Sequence, residues 1–239
     1  MSGNFKLTKF EKEIFEEKGY LIFESILGDD ECKQLKLEID SLQIDTSILP
    51  VQKPHLANLI TNSKIIHMTQ SLMDNKPYVF HHLHSARHDA GTPTFPWHHD
   101  YEQYPQVNRK YKMIHYFMYI NGLNGTIGDL LVVPGTHKLV YERYQFSELG
   151  DQDIETMVTI DKLAKGSVIA IHSALIHARK AKPGGEKVPR YFIDCSYCEC
   201  GPLWPPYKER GDWKKILKEL NKNKGNEYPH LFNEQCFLP

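Results

Sequence analysis

The chain of 239 residues lacks the features that mark several large classes of protein. It has no excess of charge, since 29 Lys and Arg stand against 30 Asp and Glu for a net charge of −1. Proteins that bind nucleic acid or anionic membranes usually carry a clear excess of Lys and Arg. No apolar run approaches the ~18 residues that a transmembrane helix needs. We therefore expect neither a nucleic-acid partner nor a membrane span.

We also expect neither a secretory leader nor a disulfide framework. The first fifteen residues are polar and charged, without the apolar stretch of a signal peptide. The five cysteines are an odd number and are interpreted as reduced thiols, so we expect a cytoplasmic protein. Cys195 and Cys198 have the spacing of a zinc ligand pair, but no second such pair follows. Thiols on or just after a final strand are the simpler interpretation.

Common catalytic motifs are absent as well. The chain contains no GxGxxG after a strand, no GxxxxGK[ST], no GxSxG and no HExxH. Nucleotide-binding loops, serine hydrolases of the nucleophile-elbow type and HExxH metalloproteases therefore have no support. What remains is an unusual number of histidines, 13 in all, which directs attention to metal binding.

The pattern along the chain predicts one domain over residues 1–239, because no repeat or linker divides it. Residues 1–76 read as helices with one strand, residues 77–200 as a β-rich core, and residues 201–239 as a loop and a helix. The predicted helices cover residues 7–18 with Gly19 as the stop, a segment capped by Asp29 and Asp30, Ser63 to Met73, and the stretch around Trp213 and Leu220. The predicted strands are Tyr20 to Phe23, Tyr78 to His84, Lys112 to Ile120, Leu130 to Val133, Met157 to Ile160, Ser167 to His172 and Arg190 to Tyr197. Many short strands separated by turn residues are typical of a sandwich or barrel.

The segment Pro96 to Tyr101 contains the most informative histidines. On an extended chain, residues i and i+2 project from the same face, so His98 and Asp100 lie side by side. His99 points to the opposite face. Two histidines and one carboxylate with open positions suit Fe(II), which makes His98 and Asp100 candidate metal ligands if a second histidine joins them.

A third ligand is expected near the end of the β-rich region. A hairpin turning at Pro183 and Gly184 would place His177 opposite Arg190, because each lies six residues from the turn. A histidine and a carboxylate-binding arginine would then face one cavity. His172 is the competing ligand, but it is an odd number of residues from His177 and would face the other way on a continuous strand.

Four segments in order along the chain resemble motifs of the phytanoyl-CoA dioxygenase (PhyH) family of Fe(II)/2-oxoglutarate oxygenases. The segment that begins Gly19-Tyr20 is similar to the family's opening strand, and Trp97 to Asp100 resembles its WHxD. Gly128 to Lys138 is similar to NGxLxxxPGSHK, and Lys165 to His177 to GDxxxFHxxLxH. Departures within the last two motifs leave the metal residues intact and leave the substrate open.

The resemblance implies a mainly β protein with flanking helices around a double-stranded β-helix, the jelly-roll or cupin-like core. It implies that His98, Asp100 and His177 ligate iron and that Arg190 binds the distal carboxylate of 2-oxoglutarate. Fe(II), 2-oxoglutarate and O₂ would then hydroxylate a small-molecule substrate and release succinate and CO₂. Asp100 argues against halogenation, since related halogenases have a small residue there.

Two rival functions remain open. One is a metal enzyme such as an isomerase on the same fold, which would not need Arg190. The other is a binding or regulatory protein that keeps the scaffold without turnover.

Further site residues are expected from position alone. Tyr119, on the strand after the HxD segment, is a candidate hydrogen-bond partner of 2-oxoglutarate. Candidate substrate contacts are His84, Arg87, Tyr101 and Tyr104. His82 shares a face with His84 by strand alternation, and both could orient ligands or have satisfied core or surface roles.

Overall fold

The computed structural model describes residues 6–104, 106, 109–181, 188–207 and 213–239. Within them the helices are α1 (Lys9–Lys18), α2 (Asp29–Ile44), α3 (Pro54–Leu59), α4 (Ser63–Leu72) and α5 (Trp213–Lys224). The strands are β1 (Tyr20–Phe23), β2 (Tyr78–His88), β3 (Phe95–His98), β4 (Met113–Tyr119), β5 (Leu123–Asn124), β6 (Asp129–Val132), β7 (Val158–Ile160), β8 (Lys162–Leu163), β9 (Ser167–His172), β10 (His177–Lys180) and β11 (Arg190–Glu199). No helix among these is long and apolar enough to cross a membrane.

The strands form two principal antiparallel sheets. The larger has the order β1-β9-β4-β11-β2 and the smaller the order β3-β10-β6-β7, while β5 and β8 pair separately. Residues of β2, β4 and β11 and residues of β3, β6 and β10 line the same cavity, so the two sheets face each other. This arrangement confirms the predicted mainly β jelly roll with flanking helices.

The larger sheet is buried on both faces, and β4 illustrates how. All seven of its residues are buried. Tyr116 and Met118 belong to the main hydrophobic core, which includes residues of the helices. His115, Phe117 and Tyr119 alternate with them and line the cavity. One strand therefore holds the helices on one side and supplies site residues on the other.

The first helix and strand form as the pattern predicts. Thr8 caps α1 in a reciprocal box with Glu11. Gly19 ends the helix in the left-handed region, with φ of 84°, and its N–H donates to the carbonyl of Phe15. A Cβ at Gly19 would lie 2.5 Å from Nδ1 of His137, so glycine is also required by close packing.

The beginning of α2 differs in detail from the expectation. Asp29 and Asp30 were expected as caps, but Gly28 is the N-cap residue and the two aspartates lie in the first helical turn. Carboxylates there interact favourably with the helix dipole, so the aspartates do mark the start of the helix, but the cap lies one position before the first of them. The pattern gave no indication of α3, β5 or β8.

The predicted hairpin between His177 and Arg190 is wrong. Its proposed turn at Pro183 and Gly184 lies outside the described residues, but the strand pairing is described. β10 pairs with β3 and β6 in the smaller sheet, whereas β11 pairs with β2 and β4 in the larger. The two strands therefore lie in opposite sheets. His177 and Arg190 both line the cavity, but they approach it from different walls.

Candidate metal centre

Three residues from two distant segments of the sequence converge at one wall of the cavity. His98 ends β3 and His177 begins β10, and the two are direct partners across the antiparallel pair. Asp100 follows β3. Its Oδ1 lies 3.5 Å from Nε2 of His98, and its Oδ2 lies 3.3 Å from Nε2 of His177. Their ligand atoms form a compact set that could hold a metal ion.

The protons on the two imidazoles show that this set needs a positive charge. Nδ1 of His98 contacts the carbonyl of Pro96 at 2.8 Å, and Nδ1 of His177 contacts the carbonyl of Leu175 at 3.0 Å. A carbonyl only accepts, so both Nδ1 atoms donate and each neutral ring turns a lone pair on Nε2 towards Asp100. Three acceptors then converge without a proton between them. A metal cation satisfies all three, and backbone carbonyls that fix Nδ1–H are the usual support of metal-binding histidines.

The pKa shifts at the set have the same origin. Burial, and then the neighbouring His177, lowers the pKa of His98 to about 4. Burial opposes charge on His177, but its hydrogen bond to Asp100 and the charge of that carboxylate raise its pKa. Despite burial, the two histidines hold the pKa of Asp100 well below its usual range.

Arg143 holds the carboxylate in place. Its Nη2 donates to Oδ1 of Asp100 at 3.1 Å, and its Nε donates to the carbonyl of His99 at 3.1 Å. The arginine thus binds both the side chain of one ligand and the backbone beside it. His99 itself points away from the set, as strand alternation predicts, with Nε2 2.9 Å from the carbonyl of Tyr141.

Arg190 lies in the same cavity on β11 and is almost fully buried. Its Nη2 donates to the hydroxyl of Tyr119 at 3.3 Å, and its guanidinium carbon lies 5.1 Å from the ring centre of Tyr119 and 5.4 Å from that of Phe192. Nε and Nη1 are buried with no hydrogen-bond partner among the described residues. A buried cation with unpaired donors in a fork geometry is suited to a carboxylate.

The region around Arg190 is suited to an anion. His88 pairs with Arg190 across β2 and β11 and also lines the cavity. Burial, and then the charges of Arg190 and Arg179, lowers the pKa of His88 to about 3, so this histidine is neutral near pH 7. Phe117 connects the two regions, since its ring lies 5.4 Å from that of His177 and 5.2 Å from that of Phe192.

The expected substrate residues separate into two groups. His84 and Tyr104 line the cavity, which has a volume of about 1130 Å³. Arg87 does not line it, because its guanidinium binds the carboxylates of Asp40 and Asp89. The expectation for Arg87 is therefore corrected: it supports β2 from outside the cavity.

Tyr101 and His172 also lie outside the cavity. Tyr101 is buried, donates its hydroxyl hydrogen to the carbonyl of Tyr111 at 2.7 Å, and stacks on His172 at 6.2 Å. Burial lowers the pKa of His172 well below its usual value, and its ring contacts that of His137 at 5.1 Å. Tyr101 is therefore a packing residue behind the HxD segment rather than a substrate contact, and His172 is not a member of the metal set.

A second set of potential ligands in the cavity was not predicted. It consists of His82, His115 and Asp194 on three adjacent strands of the larger sheet. Strand alternation did provide a signal that two of them face the cavity. Asp194 lies an even number of residues from Arg190 on one strand, and His115 lies an even number from Tyr119 on another. The lateral order of the strands, which brings the three together, had no local signal.

Comparison with family models shows which protein family the chain belongs to. The family model described as phytanoyl-CoA dioxygenase (PhyH) matches residues 51–182. The chain belongs to the PhyH family. The match includes His98, Asp100 and His177 and ends before Arg190, and it confirms the resemblance to a family of Fe(II)/2-oxoglutarate-dependent oxygenases. No curated protein matches the chain significantly.

Solved structures share the fold of this PhyH-family chain at low sequence identity. The 2-oxoglutarate-dependent carbocyclase SnoK from nogalamycin biosynthesis has a TM-score of 0.71 at 15% identity, covering 87% of this chain and 90% of its own. EctD from S. alaskensis, with 2-oxoglutarate and 5-hydroxyectoine, has a TM-score of 0.67 at 17% identity, covering 87% and 82%. HygX from Streptomyces hygroscopicus, with nickel and 2-oxoglutarate, has a TM-score of 0.66 at 19% identity, covering 86% and 94%.

Proposed function

We propose that the chain is an Fe(II)/2-oxoglutarate-dependent oxygenase that hydroxylates an unactivated C–H bond of a small molecule. His98, Asp100 and His177 would hold Fe(II) and leave three positions for the cosubstrate and O₂. The observation that carries the proposal is the convergence of Nε2, Nε2 and carboxylate oxygens, with both Nδ1 protons directed to backbone carbonyls.

Arg190 supports 2-oxoglutarate as the cosubstrate. A dicarboxylate that chelates a metal through its 2-oxo acid end leaves the distal carboxylate to be bound elsewhere. The unpaired donors of buried Arg190 and the hydroxyl of Tyr119 are the groups suited to it. Neutral His88 beside them adds no negative charge to repel the anion.

Bound iron would supply the redox chemistry that the side chains lack. The balance is that O₂, 2-oxoglutarate and R–H give succinate, CO₂ and R–OH. The protein binds and orients the reactants, while Arg143 keeps the Asp100 carboxylate directed to the metal set. Phe117 and Phe192 cover the wall between the set and Arg190, which limits water beside the reacting C–H bond.

The rival functions differ in their need for Arg190. An isomerase or a binding scaffold that does not bind 2-oxoglutarate or another anion has no use for a buried arginine with unpaired donors, since such a charge is costly without an anion. SnoN, a neighbour named as a 2-oxoglutarate-dependent epimerase, has a TM-score of 0.64 at 15% identity. Binding of iron and 2-oxoglutarate alone therefore does not distinguish hydroxylation from epimerisation, and product analysis is needed to do so.

Metal binding under anaerobic conditions tests the site directly. We expect one Fe(II) per chain in the wild type and its loss in Asp100→Ala. Asp194→Asn is the matched control, because it alters the second set of two histidines and one aspartate in the same cavity. Retention of iron in Asp100→Ala, or its loss only in Asp194→Asn, would contradict the assignment.

A further inference from the structure

The second set forms one buried hydrogen-bonded network on the larger sheet. Nε2 of His82 lies 3.0 Å from Oδ2 of Asp194, and Nδ1 of His115 lies 2.9 Å from the same oxygen. On the other side of His82, its Nδ1 lies 3.0 Å from Nδ1 of His81 and 3.0 Å from Oγ of Ser196. The described contacts of this network therefore run from His81 through His82 and Asp194 to His115.

Counting protons fixes the charge of the central histidine. Nε2 of His81 lies 3.0 Å from the carbonyl of Pro205 and 3.3 Å from Oε2 of Glu102, and since both are acceptors it carries that ring's proton. A hydrogen bond between the two Nδ1 atoms then has His82 as its donor, and Oγ of Ser196 can accept the same proton. Since Nε2 of His82 faces a carboxylate, it carries a proton too. His82 is an imidazolium paired with Asp194, which agrees with burial lowering the pKa of His81 and with the Asp194 charge raising that of His82 against burial.

His115 ends the network with an unused acceptor. Its Nδ1 contacts both oxygens of Asp194, at 3.0 and 2.9 Å, so Nδ1 carries the proton. In the neutral ring, Nε2 is a lone pair. It is buried with no partner in the described part of the chain, and His115 lines the cavity.

A metal ion suits this set less well than the first. A histidine that binds metal almost always donates its other ring N–H to an acceptor. His98 and His177 do so, to the carbonyls of Pro96 and Leu175. A metal on Nδ1 of His115 would instead require a proton on Nε2, where no described acceptor lies. The hydrogen-bonded form leaves an acceptor that a ligand can satisfy.

We infer that Nε2 of His115 accepts a hydrogen bond from a hydroxyl group of the substrate, so that the enzyme acts on a small alcohol. This inference rests on the proposed function, which makes the cavity a substrate site. The cosubstrate cannot fill the role, because ionised 2-oxoglutarate has only acceptors. A substrate carboxylate fails for the same reason.

The walls next to His115 fit an alcohol with an apolar body. Tyr207 stacks on His82 at 4.5 Å, and Phe117 lies 6.0 Å from His115. Leu203 and Leu238 add apolar surface to the same cavity. His115 is thus a polar point in a largely apolar part of the site, which is the arrangement that orients a ligand through one group. Asp194 and His82 act as positioning residues, since they fix the tautomer of His115.

Nitrogen-15 spectra of the histidine rings test this arrangement in the full chain loaded with Zn(II) and 2-oxoglutarate. We expect His82 to carry both ring protons and His115 to carry one, on Nδ1. Cyclohexanol should shift Nε2 of His115 upon saturation. Cyclohexyl methyl ether, which has no donor, should bind about tenfold or more weakly, because it leaves the buried acceptor unpaired.

Variants separate the binding contact from general packing. His115→Gln keeps a side-chain acceptor and should retain the preference for the alcohol over the ether, whereas His115→Phe should lose it. A proton on Nε2 of His115, zinc at Asp194, or equal or absent responses to the two probes would overturn the inference. Each of these outcomes is distinct from failure of the proposed function, which would appear as no metal or 2-oxoglutarate bound at Asp100 and Arg190.

Discussion

His98, His177 and His115 are buried imidazoles in one cavity, and the atom that carries the proton distinguishes them. In the first two, backbone carbonyls take the Nδ1 proton and leave Nε2 for a cation. In His115, a carboxylate takes it and leaves Nε2 for a donor. The proposals for the two places therefore differ: the same side chain would bind a metal in one and accept a hydrogen bond from a ligand in the other.

Arg190 is the residue to which we assign the distal carboxylate of 2-oxoglutarate. Replacement with alanine should raise the apparent requirement for 2-oxoglutarate by about two orders of magnitude, because a desolvated carboxylate loses its charged partner. Arg190→Lys should give an intermediate value, since an ammonium lacks the bidentate fork. Tyr119→Phe, which removes one hydroxyl, should raise it only about fivefold. Succinate formation against 2-oxoglutarate concentration measures all three, and indifference to Arg190→Ala would favour a rival function.

The pair of Asp194 and His82 predicts a pH dependence of stability. The depressed pKa of Asp194 gives stability that is present above its unfolded pKa of about 4 and lost as the pH falls through the folded value. The raised pKa of His82 gives stability that is present below about 6.5 and lost as the pH rises through the folded value. Asp194→Asn should therefore cost most near pH 5 to 6, about 3 kcal/mol, and less at pH 9.

Urea unfolding at several pH values measures this difference. The free energy of unfolding of the variant is compared with that of the wild type at each pH, so that effects common to both cancel. A cost that grows steadily from pH 5 to pH 9 would contradict the charge assignment of His82.

Single residues were predictable where neighbours in sequence are neighbours in space. The pairing of His98 with Asp100 follows from the alternation of an extended chain, and the structure brings both to one site. Arg143 had no such signal, because it meets Asp100 across forty-three residues of chain. Asp194 and His115 were not predicted: alternation relates them to Arg190 and Tyr119 on their own strands, but nothing local indicated that the two strands adjoin.

At the scale of elements, β10 shows the limit of local pairing rules. A hairpin with β11 is the shortest connection, yet β10 pairs with β3, which precedes it by more than seventy residues. A jelly roll alternates successive strands between two sheets, so its contacts are long-range. The motif resemblance selected His177, which the structure places beside His98 and Asp100, because a motif depends on residue identity and does not depend on strand partners.

The end of α1 offers a test of element packing. Gly19→Ala should lower the free energy of unfolding by about 2 kcal/mol or more, since φ is positive and a Cβ would meet His137 and Leu175. Gly28→Ala is the matched control, because Gly28 has a φ of −71° and open space around it. It should cost less than about 1 kcal/mol. Equal losses in the two variants would contradict the packing described at Gly19.

At the scale of the whole molecule, the C-terminal segment completes the cavity. Leu238 lines it, and Phe237 forms a parallel bridge with Trp204. Phe237 also packs against His81 at 5.9 Å and Trp213 at 6.3 Å. Residues at the end of the chain are therefore joined to β2 and α5. The contact between Phe237 and His81 joins the predicted C-terminal part of the chain to the predicted β-rich core. That all 239 residues form a single domain stays a prediction.

Removal of one ring tests that contribution. Phe237→Ala should lower the free energy of unfolding by about 3 to 4 kcal/mol, because a buried aromatic side chain is lost from the main core. Phe10→Ala should change it by less than about 0.5 kcal/mol, since Phe10 is 68% exposed. Urea unfolding of the two variants provides the comparison, and a small effect of Phe237→Ala would show that the segment is not part of the core.

The stoichiometry of cosubstrate turnover tests the central claim most directly. With Fe(II), 2-oxoglutarate and air, the wild type should form one succinate for each O₂ consumed, and His98→Ala or Asp100→Ala should form none. Succinate formed equally without iron, or undiminished in the Asp100 variant, would contradict an oxygenase built on His98, Asp100 and His177.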